Sequence, residues 1–370
     1  MIASFVDFLG WVFFAAPILG VLLAFLMGPL GIQLAVYLGV LDYPSSRKQH
    51  DRPIPCLGGL VIYLGFFIPV LLLLPLTPLI GALLLGATGI LILGIWDDML
   101  GLDPRFKLIA QVLLSLVPIY MGVQIYWVTS PFGGVIQLGM GSMPVTILWI
   151  VAMVNVINIL DGLDGLATGI TAISCGATFL VAGIMMQWVP ALLALILMAV
   201  CLGFLRVNFF PARLYLGDSG SMLLGFLLGV ISISGVIKST VAFSFLLPIL
   251  ILAIPISDTL YAIIRRVRNK KAIFQADRGH FHHELLALGY HPVQVVLGMY
   301  LVSVIFSMIA IALALPNPIW RGYSIWIGIT VFISMLCVTV WSRHFRSIGL
   351  VLAKYWSQKI GVRVKGGSSS

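Results

Sequence analysis

Asn155-Val-Ile-Asn158-Ile-Leu-Asp161-Gly-Leu-Asp164-Gly-Leu-Ala167 decides the fold. It closes an apolar run, residues 144–160, that is otherwise suited to lipid, and places two amides and two carboxylates at its end. An ionised side chain inside the hydrocarbon core is costly, so acids beside an apolar span mark a site by default. At three-residue intervals the four polar groups fall on one slowly drifting stripe of a helix. Gly162 and Gly165 permit close backbone approach or a break in that helix. The structural alternative is a helix end followed by turn-forming Asp-Gly pairs.

The rest of the chain fits a membrane. Of 370 residues, 61% are hydrophobic and 9% charged, against about a quarter charged in a soluble domain. Mean hydropathy is +1.14. The apolar runs are continuous rather than alternating, which predicts helices and not a barrel. The fold expected is an all-α polytopic integral membrane protein of eleven transmembrane helices. The candidate spans are 11–35, 57–75, 79–96, 107–123, 144–160, 166–186, 189–206, 220–237, 241–264, 293–314 and 321–341. The apolar stretch from Trp11 reads as a first span and not a cleaved signal, because no basic region precedes it. Residues 1–365 read as one catalytic domain, 343–365 as a basic amphipathic helix on the membrane surface, and Gly366–Ser370 as an appended remnant. Segment 124–143 could form a short extracytoplasmic β-hairpin.

Charge orients the chain. Of 21 Lys and Arg, 19 fall within or one residue from one set of alternate connections, 41–56, 97–106, 161–165, 207–219, 265–292 and the tail from 342, and only Lys238 and Arg321 lie elsewhere. Basic residues favour the cytoplasm, so this set is assigned to the cytoplasmic side. Eleven of the twelve acids gather there too, which topology alone does not require. The scattered Cys56, Cys175, Cys201 and Cys337 form no zinc or disulfide pattern.

Four further stretches carry chemistry. In 42–59, Arg47, Lys48 and His50 supply phosphate donors, prolines fix the loop, and Gly58-Gly59 lets backbone or ligand approach. Asp97-Asp98 are adjacent acids that tolerate each other when a cation sits between them or one serves as a base; Lys107, soon after, is a candidate phosphate contact. Gly101 stands where a soluble prenyl synthase's DDxxD would need its third acid. In Asn208–Ser221, Gly217 and Gly220 flank Asp218 at a helix start, a place suited to a phosphate, and Asp218 could hold Mg²⁺. The long loop after Asp258 carries Arg265, Asp277, Arg278, His280, His282 and His283. Ala287 stands where an HExxH protease needs its second histidine, so these histidines read better as donors to phosphate or sugar.

Together and in this order, the Arg47-Lys48…His50…Pro53…Gly58-Gly59 loop, Asp97-Asp98, Asn155…Asn158…Asp161-Gly-Leu-Asp164-Gly, Asn208…Pro211-Ala…Gly217-Asp218-Ser-Gly-Ser and Asp277-Arg278…His280-Phe-His282-His283 resemble the polyprenyl-phosphate N-acetylhexosamine-1-phosphate transferases. The broken histidine spacing is closer to the WecA/TagO branch than to MraY. Asp103 matches no acid of the family's pattern. The resemblance implies transfer of a sugar 1-phosphate, GlcNAc 1-phosphate above all, from a UDP-N-acetylhexosamine to undecaprenyl or another polyprenyl phosphate, with UMP released. It implies Mg²⁺, or Mn²⁺ in its place, held by Asp218 with Asp98 or Asp161. Asp97 is then the candidate base or positioner of the acceptor. Asn155, Asn158, Asp164 and Asn208 would shape the substrate site, with Lys107, Arg265 and the three histidines on the donor. The expected setting is a bacterial cytoplasmic membrane with the active site on the cytoplasmic face. No nucleic-acid partner is expected, and a homodimer is left open. The rivals are a transferase for UDP-MurNAc-pentapeptide and a cation-coupled transporter, which would place its acids near the midplane of broken helices.

Overall fold

The structure is a computed structural model that describes residues 2–43, 53–129, 134–237 and 289–315, with Ile249, Leu252, Ile256 and Leu286 as single positions. All of these lie in one compact unit. The spans expected at 241–264, apart from those single positions, and at 321–341 lie outside the described residues, as do the tail 343–365 and the loop bearing Arg265 and the histidines.

Nine helices run through the described residues: α1 (Ile2–Leu38), α2 (Gly58–Leu73), α3 (Pro78–Leu100), α4 (Pro104–Tyr120), α5 (Ser142–Leu160), α6 (Leu166–Ile184), α7 (Trp188–Asn208), α8 (Gly217–Ser232) and α9 (Pro292–Ala314). Seven candidate spans among them are long and apolar enough to cross a membrane, and α2 is a shorter apolar helix. The chain is an all-helical, multi-pass membrane protein. Two small antiparallel ladders accompany the helices. β1 (Leu41–Asp42) pairs with β2 (Ile54–Pro55), and β3 (Trp127–Thr129) pairs with β4 (Val135–Gln137).

The α3–α4 connection differs from the sequence expectation of a loop over 97–106. Helix α3 runs on to Leu100, so Asp97 and Asp98 stand in its last turn. Gly101, with φ of +64°, ends it in the left-handed conformation that glycine adopts without a Cβ clash. Asp103 then caps α4: its Oδ1 accepts the Arg105 N–H at 2.7 Å, with Pro104 at the first helical position. This is the role of the acid that matched no motif.

Helix α8 is the buried axis, with every residue from Ser219 to Ser232 shielded. It is enclosed by α2, α3 and α5. Close approach rests on missing side chains. A Cβ on Gly94 of α3 would stand 2.2 Å from Ser219 Cα, and one on Gly59 of α2 would stand 2.6 Å from Gly220 N. Gly58-Gly59 therefore admits backbone, the first of the two options its sequence left open. Asn155 also proves to be part of the fold. Its amide donates to Gln111 Oε1 of α4 at 2.6 Å and to Val151 O at 2.8 Å, and Gln111 in turn reaches Met222 Sδ of α8. Cys175 and Cys201 are buried, in keeping with their reading as small apolar residues.

Candidate active site

The acids that lie far apart in sequence meet where α3, α4, α5 and α8 end or begin. Asp97 is buried and pairs with Lys107 Nζ, one turn into α4. The same ammonium lies 3.5 Å from Asp218 Oδ2, so it bridges the two carboxylates. Asp218 Oδ1 accepts from the Asn158 amide, which donates as well to Ser221 Oγ at 3.0 Å. Asp97 Oδ1 accepts the Leu102 N–H at 2.8 Å, closing the α3–α4 turn.

Asp98 occupies the start of α8. Its Oδ1 accepts the Asp218 N–H at 2.8 Å and its Oδ2 the Ser219 N–H at 3.0 Å. The free N–H groups and positive dipole end of a helix suit an anion. Here the anion is an internal carboxylate, where the sequence suggested a phosphate. With both oxygens already on backbone donors, Asp98 holds the helix end in place.

The 155–167 stretch breaks as its glycines allow. Asn155 and Asn158 lie on α5, but Asp161 is the C-cap and Asp164 belongs to the following turn, so the single helical stripe is not formed. Gly165, with φ of +77°, starts α6. Loss of hydration, followed by the charges of Asp218, Asp98 and Asp164, pushes the Asp161 carboxyl well above the usual carboxylate range. Asp164 reaches the 209–216 loop, where its Oδ2 accepts the Ala212 N–H at 2.9 Å. Asn208 pins the other end of that loop. It is buried, donates to Leu214 O at 3.1 Å and accepts from Thr168 Oγ1 at 2.7 Å. Asp164 and Asn208 thus fix the two ends of the 209–216 loop.

Oxygen donors dominate the set: Asp161, Asp218 and the Asn158 amide. Among the described residues no group of three or more His, Cys, Asp or Glu stands ready to enclose an ion. A hard dication that keeps several waters and takes substrate phosphates needs only one or two protein carboxylates. Asp161, crowded by like charge, has the electrostatic demand for one. Arg47, Lys48, His50, Arg265, His280, His282 and His283 lie outside the described residues.

Comparison with known proteins agrees with this constellation. Residues 80–236, which hold all the acids of the cluster, match the family model described as Glycosyl transferase family 4. A probable undecaprenyl-phosphate N-acetylglucosaminyl 1-phosphate transferase of Bacillus subtilis is 36% identical over 323 residues, covering 87% of this chain and 90% of the relative. The chain belongs to the polyprenyl-phosphate N-acetylhexosamine-1-phosphate transferase superfamily. Within the superfamily it falls in the WecA/TagO-like branch. A decaprenyl-phosphate N-acetylglucosaminephosphotransferase of Mycobacterium tuberculosis is 32% identical, covering 75% of this chain and 76% of the relative. A phospho-N-acetylmuramoyl-pentapeptide-transferase of Heliobacterium modesticaldum is 32% identical as well, covering 83% of this chain and 98% of the relative.

In this member of the superfamily, sequence reasoning missed Cys56 and Tyr215. Tyr215 N–H donates to Pro55 O at 2.8 Å and its carbonyl accepts the Gly58 N–H at 3.0 Å, which ties the β2 end of the basic loop to the start of α8. Cys56 lies beside Asp98 and donates its thiol to Oδ1 at 3.8 Å. Burial, then the charges of Asp98, Asp161, Asp42 and Asp218, push that thiol far up, so it stays protonated. A lone cysteine before Leu57 carries no periodic signal that could have revealed this neighbour.

Proposed function

We propose that this chain transfers GlcNAc 1-phosphate from UDP-GlcNAc to a polyprenyl phosphate, undecaprenyl phosphate fitting best, and releases UMP. The observation that carries this reading is the meeting of Asp97 and Asp218 on Lys107, with Asp161 near enough to feel the charges of Asp218 and Asp98, at the ends of helices otherwise built for lipid. A transporter reading would want its acids at mid-span. Here they stand in the last turn of α3, just past α5, and in the first turn of α8.

Each residue then has a task. Asp161 and Asp218 would hold Mg²⁺, which when bound supplies charge neutralisation to the diphosphate and to the departing UMP. Asn158 orients Asp218 through its amide. Asp98 holds the α8 start so that Asp218 faces this group. Lys107 offers its ammonium to a substrate phosphate, and Asp97 positions Lys107 and the acceptor. An acceptor phosphate is already mostly ionised at neutral pH, so positioning is the larger part of Asp97's task. Arg47, Lys48, His50, Arg265 and the three histidines would bind the substrates' phosphates or sugar.

The reading places the site on the cytoplasmic face of a bacterial inner membrane, in a protein of eleven spans. The support is the concentration of Lys and Arg in alternate connections. The test is to give the purified protein polyprenyl phosphate, Mg²⁺ and one donor at a time. UMP release with UDP-GlcNAc and not with UDP-MurNAc-pentapeptide is the expected result. The reverse preference would move the chain to the second reading, which the near end-to-end match to a pentapeptide transferase keeps in view.

A further inference from the structure

Tyr300 lies on α9, the helix that follows the long basic loop, and none of the chemistry above uses it. Its hydroxyl donates to the Gly165 carbonyl at 2.5 Å. The contact is built rather than incidental. Gly169, one turn further along α6, has no side chain where the tyrosine sits: a Cβ there would stand 1.9 Å from Tyr300 Oη and 2.0 Å from Cζ. Gly165 is buried, left-handed, and the last residue of the turn that begins at Asp161. Its carbonyl also accepts the Gly169 N–H at 2.8 Å.

The Asp161–Gly165 turn is short and is tied on its other flank as well. Asn158, before it, is tied to Asp218 of α8. Asp164 is tied to Ala212 in the 209–216 loop. The turn's own backbone bonds are local, from Asp161 N–H to Asn158 O, from Gly162 N–H to Leu160 O and from Leu166 N–H to Leu163 O. Tyr300 supplies the anchor from the α9 side.

We propose that Tyr300 is a positioning residue: its hydroxyl clamps the Gly165 carbonyl and thereby holds Asp161 against Asp218 in the geometry that receives a divalent cation. The inference rests on the transferase reading above, but its test does not depend on turnover alone. Tyr300→Phe keeps the ring in the Gly169 recess and removes only the clamp. Two measurements are made on the full-length protein in detergent: Mn²⁺ titration followed by electron paramagnetic resonance, and steady-state UMP release.

The expected result is a loss of about three- to tenfold in Mn²⁺ affinity, the scale of one hydrogen bond. A matching fall in kcat is expected, with KM for the lipid phosphate and the melting temperature unchanged. A lowered melting temperature with unaltered Mn²⁺ affinity would make Tyr300 merely structural and overturn the proposal. So would a variant indistinguishable from the parent. If the parent protein releases no UMP but its Mn²⁺ affinity still depends on the hydroxyl, the transferase reading fails while the positioning role stands. A parent that binds no Mn²⁺ overturns the positioning role.

Discussion

Asp98, in the last turn of α3, caps the first turn of α8 through the backbone of Asp218, accepting its N–H at 2.8 Å. An acid that the sequence offers as chemistry therefore also fastens two helices together. Asp98→Asn keeps one acceptor and turns an amide donor toward the other N–H, leaving a shielded donor unsatisfied. The expected cost is about 1–3 kcal/mol of stability, seen as a lower melting temperature together with lost UMP release. Lost activity at an unchanged melting temperature would return Asp98 to a purely chemical role.

Lys107 is the counter-charge of buried Asp97. Removing one partner of such a pair leaves an uncompensated charge and costs about 3–5 kcal/mol. Lys107→Met is expected to lower the melting temperature strongly, and more so in EDTA than in Mg²⁺. Adding Asp97→Asn to it should recover most of the loss. A double variant no more stable than Lys107→Met would show that the lysine stem, not its charge, supports this corner.

Asp161 gives the chain a pH dependence of definite sign. Its folded pKa is raised, so the folded state holds the proton more tightly than the unfolded state. Stability then falls as pH rises from the unfolded value, about 4, toward the folded one, and stays lower above it. In EDTA the melting temperature should decline across that window. Asp161→Asn should flatten the decline and raise the melting temperature at neutral pH while abolishing UMP release. A decline of equal slope in the variant would assign the effect to another group.

Gly94→Ala tests the α3–α8 contact directly. The new methyl would meet Ser219 Cα, which is backbone and cannot rotate aside. Overpacking of this kind costs about 1–3 kcal/mol. Here it should also lower activity, because Asp98 and Asp218 move with the two helices. Parent-like activity and stability would mean that the helices separate freely.

The acid cluster was legible in the sequence because charge beside an apolar run is informative wherever it occurs. Asp97, Asp161 and Asp218 could be selected on that ground alone, and the spans near 79–96, 144–160 and 189–206 needed only end corrections. The division of labour was not legible. Asp98, Asn155, Asp164 and Asn208 have the composition of site residues, and the backbone and helices they also hold show only in their three-dimensional partners. The counter-charge of Asp97 is Lys107, ten residues on in sequence and brought back to it by the Gly101 turn, and it is shared with Asp218 rather than with the adjacent Asp98. Tyr300 was hidden for the opposite reason: one more aromatic in an apolar helix gives no signal, and its recess at Gly169 belongs to another segment.

Gly59 and Gly94 bring main chain against main chain on two sides of the residues that follow Asp218. Distances set in this way do not adjust through side-chain rotamers. Relatives that accept different sugars would then have to diversify elsewhere in the chain, leaving this corner as an inflexible chassis on which donor preference is refitted from outside.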